Sequence, residues 1–204
     1  MSQSKLEHFG PKARIPDLFQ RRDQIYFALE TQQLQWYTPA PLYHHDLLDA
    51  AAKVGHIEEL IGYVFKEKMT CIEALKVSSH STPLYFKGVV HTVAGNKRLA
   101  LLGDRVLGLA LTEIWFHTGR SAGLTWQIVE YSAMSLNTET RAALHARGRA
   151  LGIHSHLLLS IASSGPSLAH VAETFEAILG AVYLDSGHRL QVVKDVMRRI
   201  ELDD

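Results

Sequence analysis

Three carboxylates stand where carboxylates are costly. Asp104 lies within Asn96–Phe116, a stretch that is apolar on every side of a helical wheel. Glu173 and Glu176 lie within Val171–Asp185, which has the same character. An ionised carboxylate in such surroundings must be paired, bound to a cation, or open to a cleft. Glu173 and Glu176 are three residues apart and share a helix face. If two helices bring all three acids together, the cluster suits a hard divalent cation with oxygen ligands, such as Mg2+. The competing reading pairs each acid with a nearby Arg or His and leaves no site. The chain also carries 12 histidines. An imidazole beside these acids would suit proton transfer on a small-molecule ligand.

Helices that are apolar all round are central ones, so these two are expected to cross inside the molecule. Gly103 and Gly180 each remove a side chain and would let the backbones approach. Asn96 is placed to cap the first helix and Ser167 the second. The remaining pattern is helical over 56–67, Leu124–Leu136, Glu139–Leu151, His154–Ile161 and Leu190–Ile200. Thr70 and Glu73 have the spacing of a capping box and should start one more helix. Asn137 or Thr138 would cap Glu139–Leu151, and Gly152 would end it. Gly119 and Gly123 should break the chain. Ser81–Gly95, with Pro83 and Gly88, reads as a loop holding at most a short extended piece. The expected fold class is all-α.

Both acidic segments resemble the ribonuclease III domain family. That family carries N-E-R-L-E-x-L-G-D-[AS]-V-L and D-T-F-E-A-x-x-G-A-x-Y-L-D. This chain reads N-K-R-L-A-L-L-G-D-R-V-L from Asn96 and E-T-F-E-A-I-L-G-A-V-Y-L-D from Glu173. Ile57–Phe65 is similar to the family's first helix, and Ser78-Ser79-His80-Ser81 to its T-H-x-S element. The resemblance runs from about Val54 to Ile200. It implies two parts, an N-terminal extension over 1–53 and the ribonuclease III-like domain over 54–204. It also implies a homodimer and, in active members, Mg2+-dependent cutting of double-stranded RNA. Candidate dimer faces are Ile61 with Phe65, and Leu107–Leu111.

The family's four metal-holding acids fall by position on Ala100, Asp104, Glu173 and Glu176. Asp104 and Glu176 match in type, Glu173 replaces an aspartate, and Ala100 replaces a glutamate. Ala100 precedes Asp104 by one helical turn on the same face, so the missing glutamate would have pointed at the same ion. Lys97 stands where the family has another glutamate, and Arg105 where it has a small residue. The neighbourhood has exchanged two carboxylates for two cations, or else those cations point away into solvent. The resemblance thus leaves three readings. One is a degenerate domain that binds RNA or a protein partner with weak or no cleavage, a pseudoenzyme with Mg2+ binding weakened or lost. The second is a working endoribonuclease of RNA processing with three acids. The third is a cleft repurposed for dehydration or isomerisation. His80, the histidine placed by the resemblance, is a candidate for capping, packing or proton transfer. Lys97, Arg98 and Arg105 are the leading RNA contacts, with Arg141, Arg147 and Arg149 behind them. No stretch after Leu184 is long enough for the family's usual duplex-RNA-binding companion domain.

Composition bounds these readings. The chain has 204 residues, enough for one domain with an extension. Its 21 basic and 21 acidic side chains cancel, which argues against strong binding to phosphates by net charge alone. One cysteine, Cys71, rules out an intrachain disulfide, so a reducing intracellular setting is expected. No apolar run is long enough to span a bilayer, so no membrane is expected. Before residue 53 the chain reads as a polar lead-in, a helix capped by Asp17, a connector over Trp36–Tyr43, and a short helical piece at Asp46–Ala52.

Overall fold

The computed structural model describes residues 40, 43–77, 82–86, 89–121, 128–160 and 163–202. The helix expected after Asp17, most of the connector, and His80 with its neighbours fall outside these residues. Among the described residues the chain is mainly helical. Its α-helices are α1 (Leu47–Ile61), α2 (Lys68–Leu75), α3 (Lys97–Ser121), α4 (Ile128–Thr138), α5 (Arg141–Ala150), α6 (Leu168–Asp185) and α7 (Leu190–Arg199). A 3-10 turn spans Ile153–Ser155. The small sheet holds β1 (His45–Asp46), β2 (Leu84–Phe86) and β3 (Val89–His91), with β1 parallel and β3 antiparallel to β2. The helical class expected from sequence holds, and the extended piece in Ser81–Gly95 is the β2–β3 pair. No helix among the described residues is long and apolar enough to cross a membrane.

The core is built around α3 and α6. Fully buried Leu107, Ala110 and Leu111 of α3 pack with Phe175, Leu179 and Val182 of α6. Where the two helices cross, a Cβ on Gly103 would overlap the carbonyl oxygen of Glu176 and lie 3.0 Å from the Gly180 nitrogen. A Cβ on Gly180 would overlap the Leu99 carbonyl and lie 3.0 Å from the Gly103 nitrogen. Only glycine at both positions permits backbone against backbone. Gly148 plays a similar part in seating α5 on α6, since a Cβ there would stand 2.7 Å from Val171 Cγ1.

Several boundaries differ from the sequence reading. Leu47–Ile61 is one helix running straight through Gly55, not two pieces, because Leu47, Leu48, Ala50, Val54, Ile57 and Ile61 all bury on one face. Tertiary burial outweighs the roughly 1 kcal/mol that a mid-helix glycine costs. Asp46 caps it, accepting from the Leu48 N–H at 2.8 Å, and Gly62 ends it in the left-handed conformation. Helix α2 starts at Lys68 with Glu67 as its cap, not at the Thr70 box. Helix α3 continues past Gly119 to Ser121. Thr140, rather than Asn137 or Thr138, caps α5 through the Ala143 N–H. The helix expected over His154–Ile161 is only the 3-10 turn, since Leu158 instead forms a bridge with Lys76. Ile61 and Phe65 are each 2% exposed and belong to the core, so they offer no dimer face.

Two buried polar arrangements hold these elements in register. Glu58 of α1 pairs with Lys68 of α2 and accepts from the Phe65 N–H at 2.8 Å. Asn96, fully buried, precedes α3 as expected, and its carbonyl accepts from the Ala100 N–H at 2.8 Å. Its side-chain amide, however, turns away from the helix end to Ala74 O at 3.3 Å and Thr174 Oγ1 at 3.2 Å. One asparagine therefore ties α2, α3 and α6 together beside the acids.

Candidate functional site

The acids are placed by the α3–α6 crossing. Gly103 lies against the Glu176 carbonyl, so the next residue of α3, Asp104, stands over the turn of α6 that carries Glu176. Glu173 lies one turn earlier on α6. The three are electrostatic neighbours. Partial burial, then the Asp104 charge, push the Glu176 carboxyl up to about 7, and Glu173 adds to the rise. The Arg141 guanidinium, at the first residue of α5, works in the opposite direction. Arg141 therefore faces the acids from a third helix, though residue spacing gave no reason to rank it above Arg147 or Arg149.

The basic neighbours divide. Arg105 Nε lies 3.6 Å from Asp104 Oδ2, with 79% of the arginine side chain exposed. Such an exposed pair contributes at most about 1 kcal/mol to stability. Its consequence is electrostatic, since it sets a cation against one of the three acids. Lys97 and Arg98 are exposed and, among the described residues, hold no ion pair. Ala100 is 5% exposed and sits one turn before Asp104, offering a methyl group where a metal site needs an oxygen.

Magnesium favours near-octahedral oxygen coordination. Asp104, Glu173 and Glu176 have suitable chemistry, but among the described residues no three of His, Cys, Asp or Glu stand close enough to hold a metal ion.

One conspicuous carboxylate at the end of α6 has a different task. Asp185 accepts from Tyr63 Oη at 2.7 Å, Lys66 N at 2.9 Å and Glu67 N at 2.8 Å. It fastens the loop between α1 and α2 to α6 and is fully engaged there.

A ribonuclease III domain model matches residues 97–187. This chain carries a ribonuclease III domain. The matched span begins at the first residue of α3 and ends just past α6, so it takes in both acidic helices and their crossing. Ribonuclease 3 of Agrobacterium fabrum is 32% identical over 143 residues, covering 68% of this chain and 54% of the relative. Ribonuclease 3 of a Sulfurovum species is 34% identical over 148 residues, covering 70% and 58%. That of Rhodopirellula baltica is 30% identical over 159 residues, covering 74% and 52%. The chain thus spans about half the length of these curated relatives. The fold agrees with that of the nuclease domain of ribonuclease III from Campylobacter jejuni. The TM-score is 0.58 at 24% identity, over 72% of this chain and 96% of that one. That structure was described for flexibility in its region of dimer formation.

Proposed function

We propose that this ribonuclease III-like domain binds double-stranded RNA as a homodimer and cleaves it weakly or not at all. The carrying observation is the state of the acidic face. Ala100 is buried where the family's glutamate would stand, and Arg105 sits 3.6 Å from Asp104. Arg105 is exposed, so the pair is worth at most about 1 kcal/mol, but a cation already beside Asp104 disfavours a divalent one at the same carboxylate. Arg105 and Arg141 instead give the cleft two cations suited to phosphate oxygens, with Lys97 and Arg98 exposed at the start of α3.

The homodimer is supported by an exposed stripe on α3. Leu101 (63% exposed), Leu109 (55%) and Phe116 (44%) recur on one side of that helix, with Arg105 between them. Of the expected span Leu107–Leu111, only Leu109 is on this surface, since Leu107 and Leu111 are buried.

A second reading, a Mg2+-dependent endoribonuclease working with three acids, is favoured by the continued proximity of Asp104, Glu173 and Glu176. Acid–base chemistry on a small molecule has no comparable support. Among the described residues, the groups that act on Glu176 are two acids and an arginine.

Duplex RNA binding and Mn2+ binding, measured on one preparation, separate these readings. The proposal expects a retained RNA duplex with no saturable Mn2+ uptake below millimolar concentrations, and weaker RNA binding in Arg105→Gln and Arg141→Gln. Tight uptake of Mn2+ that Asp104→Ala abolishes would favour the endonuclease. Absence of both would overturn both.

A further inference from the structure

At the other end of α5, about 15 Å from Arg141 at 1.5 Å per residue, the chain forms a second concavity. It has a volume of about 440 Å³ and lies between α1, the 3-10 turn and the end of α7. Two imidazoles stand side by side on its wall. His56 of α1 and His156, just after the 3-10 turn, have ring centroids 5.2 Å apart and planes inclined by 31°. Arg199 closes one side, its stem running beside Gly62, where a Cβ would lie 3.6 Å away. Among the described residues Arg199 makes no ion pair, although a guanidinium presents five donors. Leu60 and Leu151 supply an apolar floor.

His56, Lys53 and His154 all disfavour protonation of His156, as does its burial, and only Asp49 favours it. Asp49 is itself paired with Lys53 at 2.9 Å. Imidazoles and a guanidinium converging on a partly apolar concavity suit a phosphate group. Arg binds phosphate through a planar fork, and neutral imidazoles gain protons when an anion arrives. Glu59, one turn after His56, lines the same wall. This carboxylate would repel a bare dianion but can accept from a hydroxyl beside the phosphate.

We propose that His56, His156 and Arg199 form a binding site for a hydroxyl-bearing phosphate ester, with Glu59 accepting from the hydroxyl. Its sources are a free sugar phosphate or nucleotide, and the phosphorylated end of an RNA strand. The site shares no residue with the acidic cleft and does not rest on the RNA-binding reading.

The test follows the histidine resonances of the full chain by NMR during titration with inorganic phosphate, then ribose 5-phosphate. Both ligands should shift the His56 and His156 signals and raise their titration midpoints. Ribose 5-phosphate should bind about tenfold more tightly than phosphate, the worth of one hydrogen bond to a charged group. Arg199→Gln, an exposed substitution that spares the core, should weaken both by about tenfold. Glu59→Ala should remove the preference for the ester. No shift of either imidazole at roughly 10 mM ligand, or unchanged affinity in Arg199→Gln, would overturn the site. Equal affinities for phosphate and ester would overturn the role given to Glu59. A 5′-phosphorylated oligoribonucleotide that outcompetes ribose 5-phosphate identifies an RNA end as the source, and the reverse order identifies a small molecule. Either order supports the site.

Discussion

Gly103 and Gly180 meet backbone to backbone, each so placed that a Cβ on one would stand 3.0 Å from the nitrogen of the other. Everything said of the acids depends on this contact, because it fixes which turn of α6 lies under Asp104. Alanine at either position would also collide with a carbonyl of the opposite helix, and backbone cannot move aside as a flexible side chain can. Gly103→Ala and Gly180→Ala should each cost about 3 kcal/mol or more, at the upper end of overpacking. Urea denaturation measures this. A loss below about 1 kcal/mol would mean that the helices do not cross as described.

Glu176 gives a pH signature. Its folded-state carboxyl is raised to about 7 from an ordinary 4.5. The protonated form is favoured on folding, so this contribution is fully present below about pH 4.5 and is lost as pH rises through 7. Glu176→Gln removes the dependence. Relative to the parent chain it should gain about 1–2 kcal/mol between pH 5 and pH 8, after allowance for partial exposure. Paired denaturation curves at the two pH values provide the check, and a constant difference between parent and variant would contradict it.

Asp185 separates a structural acid from the candidate site. Its three accepted hydrogen bonds tie Tyr63, Lys66 and Glu67 to α6. Asp185→Ala should lower stability by about 2–4 kcal/mol, because donors lose a charged acceptor. RNA affinity of the folded fraction should be unchanged. A loss of RNA binding with no loss of stability would place Asp185 in the functional surface instead.

The exposed stripe on α3 predicts assembly. Leu101→Asp and Leu109→Asp change side chains already open to solvent, so the protomer should keep its fold. Sedimentation should show the parent chain as a dimer and the double variant as a monomer. A dimer that survives both changes would put the interface elsewhere.

Some of this was legible in the sequence for a physical reason. Two all-round apolar stretches had to be central helices, and glycine at 103 and 180 had a steric role that no longer side chain could fill. Asp104 and Glu173 act on Glu176 because all three ride on that crossing. What escaped depended on distant parts of the chain. Asp46–Ala52 and 56–67 read as separate pieces until burial on both sides of Gly55 carried α1 through. The Asn96 side chain looked like a cap, yet Ala74 and Thr174 compete for it. Arg141 faces Glu176 only because α5 packs on α6 through Gly148, which residue spacing does not reveal. His56 and His156 meet across a hundred residues of sequence. In contrast, the loss of an oxygen at Ala100 was visible at once, since a side chain's chemistry requires no fold to be read.

The central claim is that duplex RNA is held by this domain without efficient hydrolysis. It is tested most directly by incubating the purified chain with long double-stranded RNA and Mg2+ and following the length of the duplex over time. The account predicts that bound RNA stays at full length. Rapid Mg2+-dependent conversion to short duplexes, lost in Asp104→Ala and in Glu176→Ala, would contradict it.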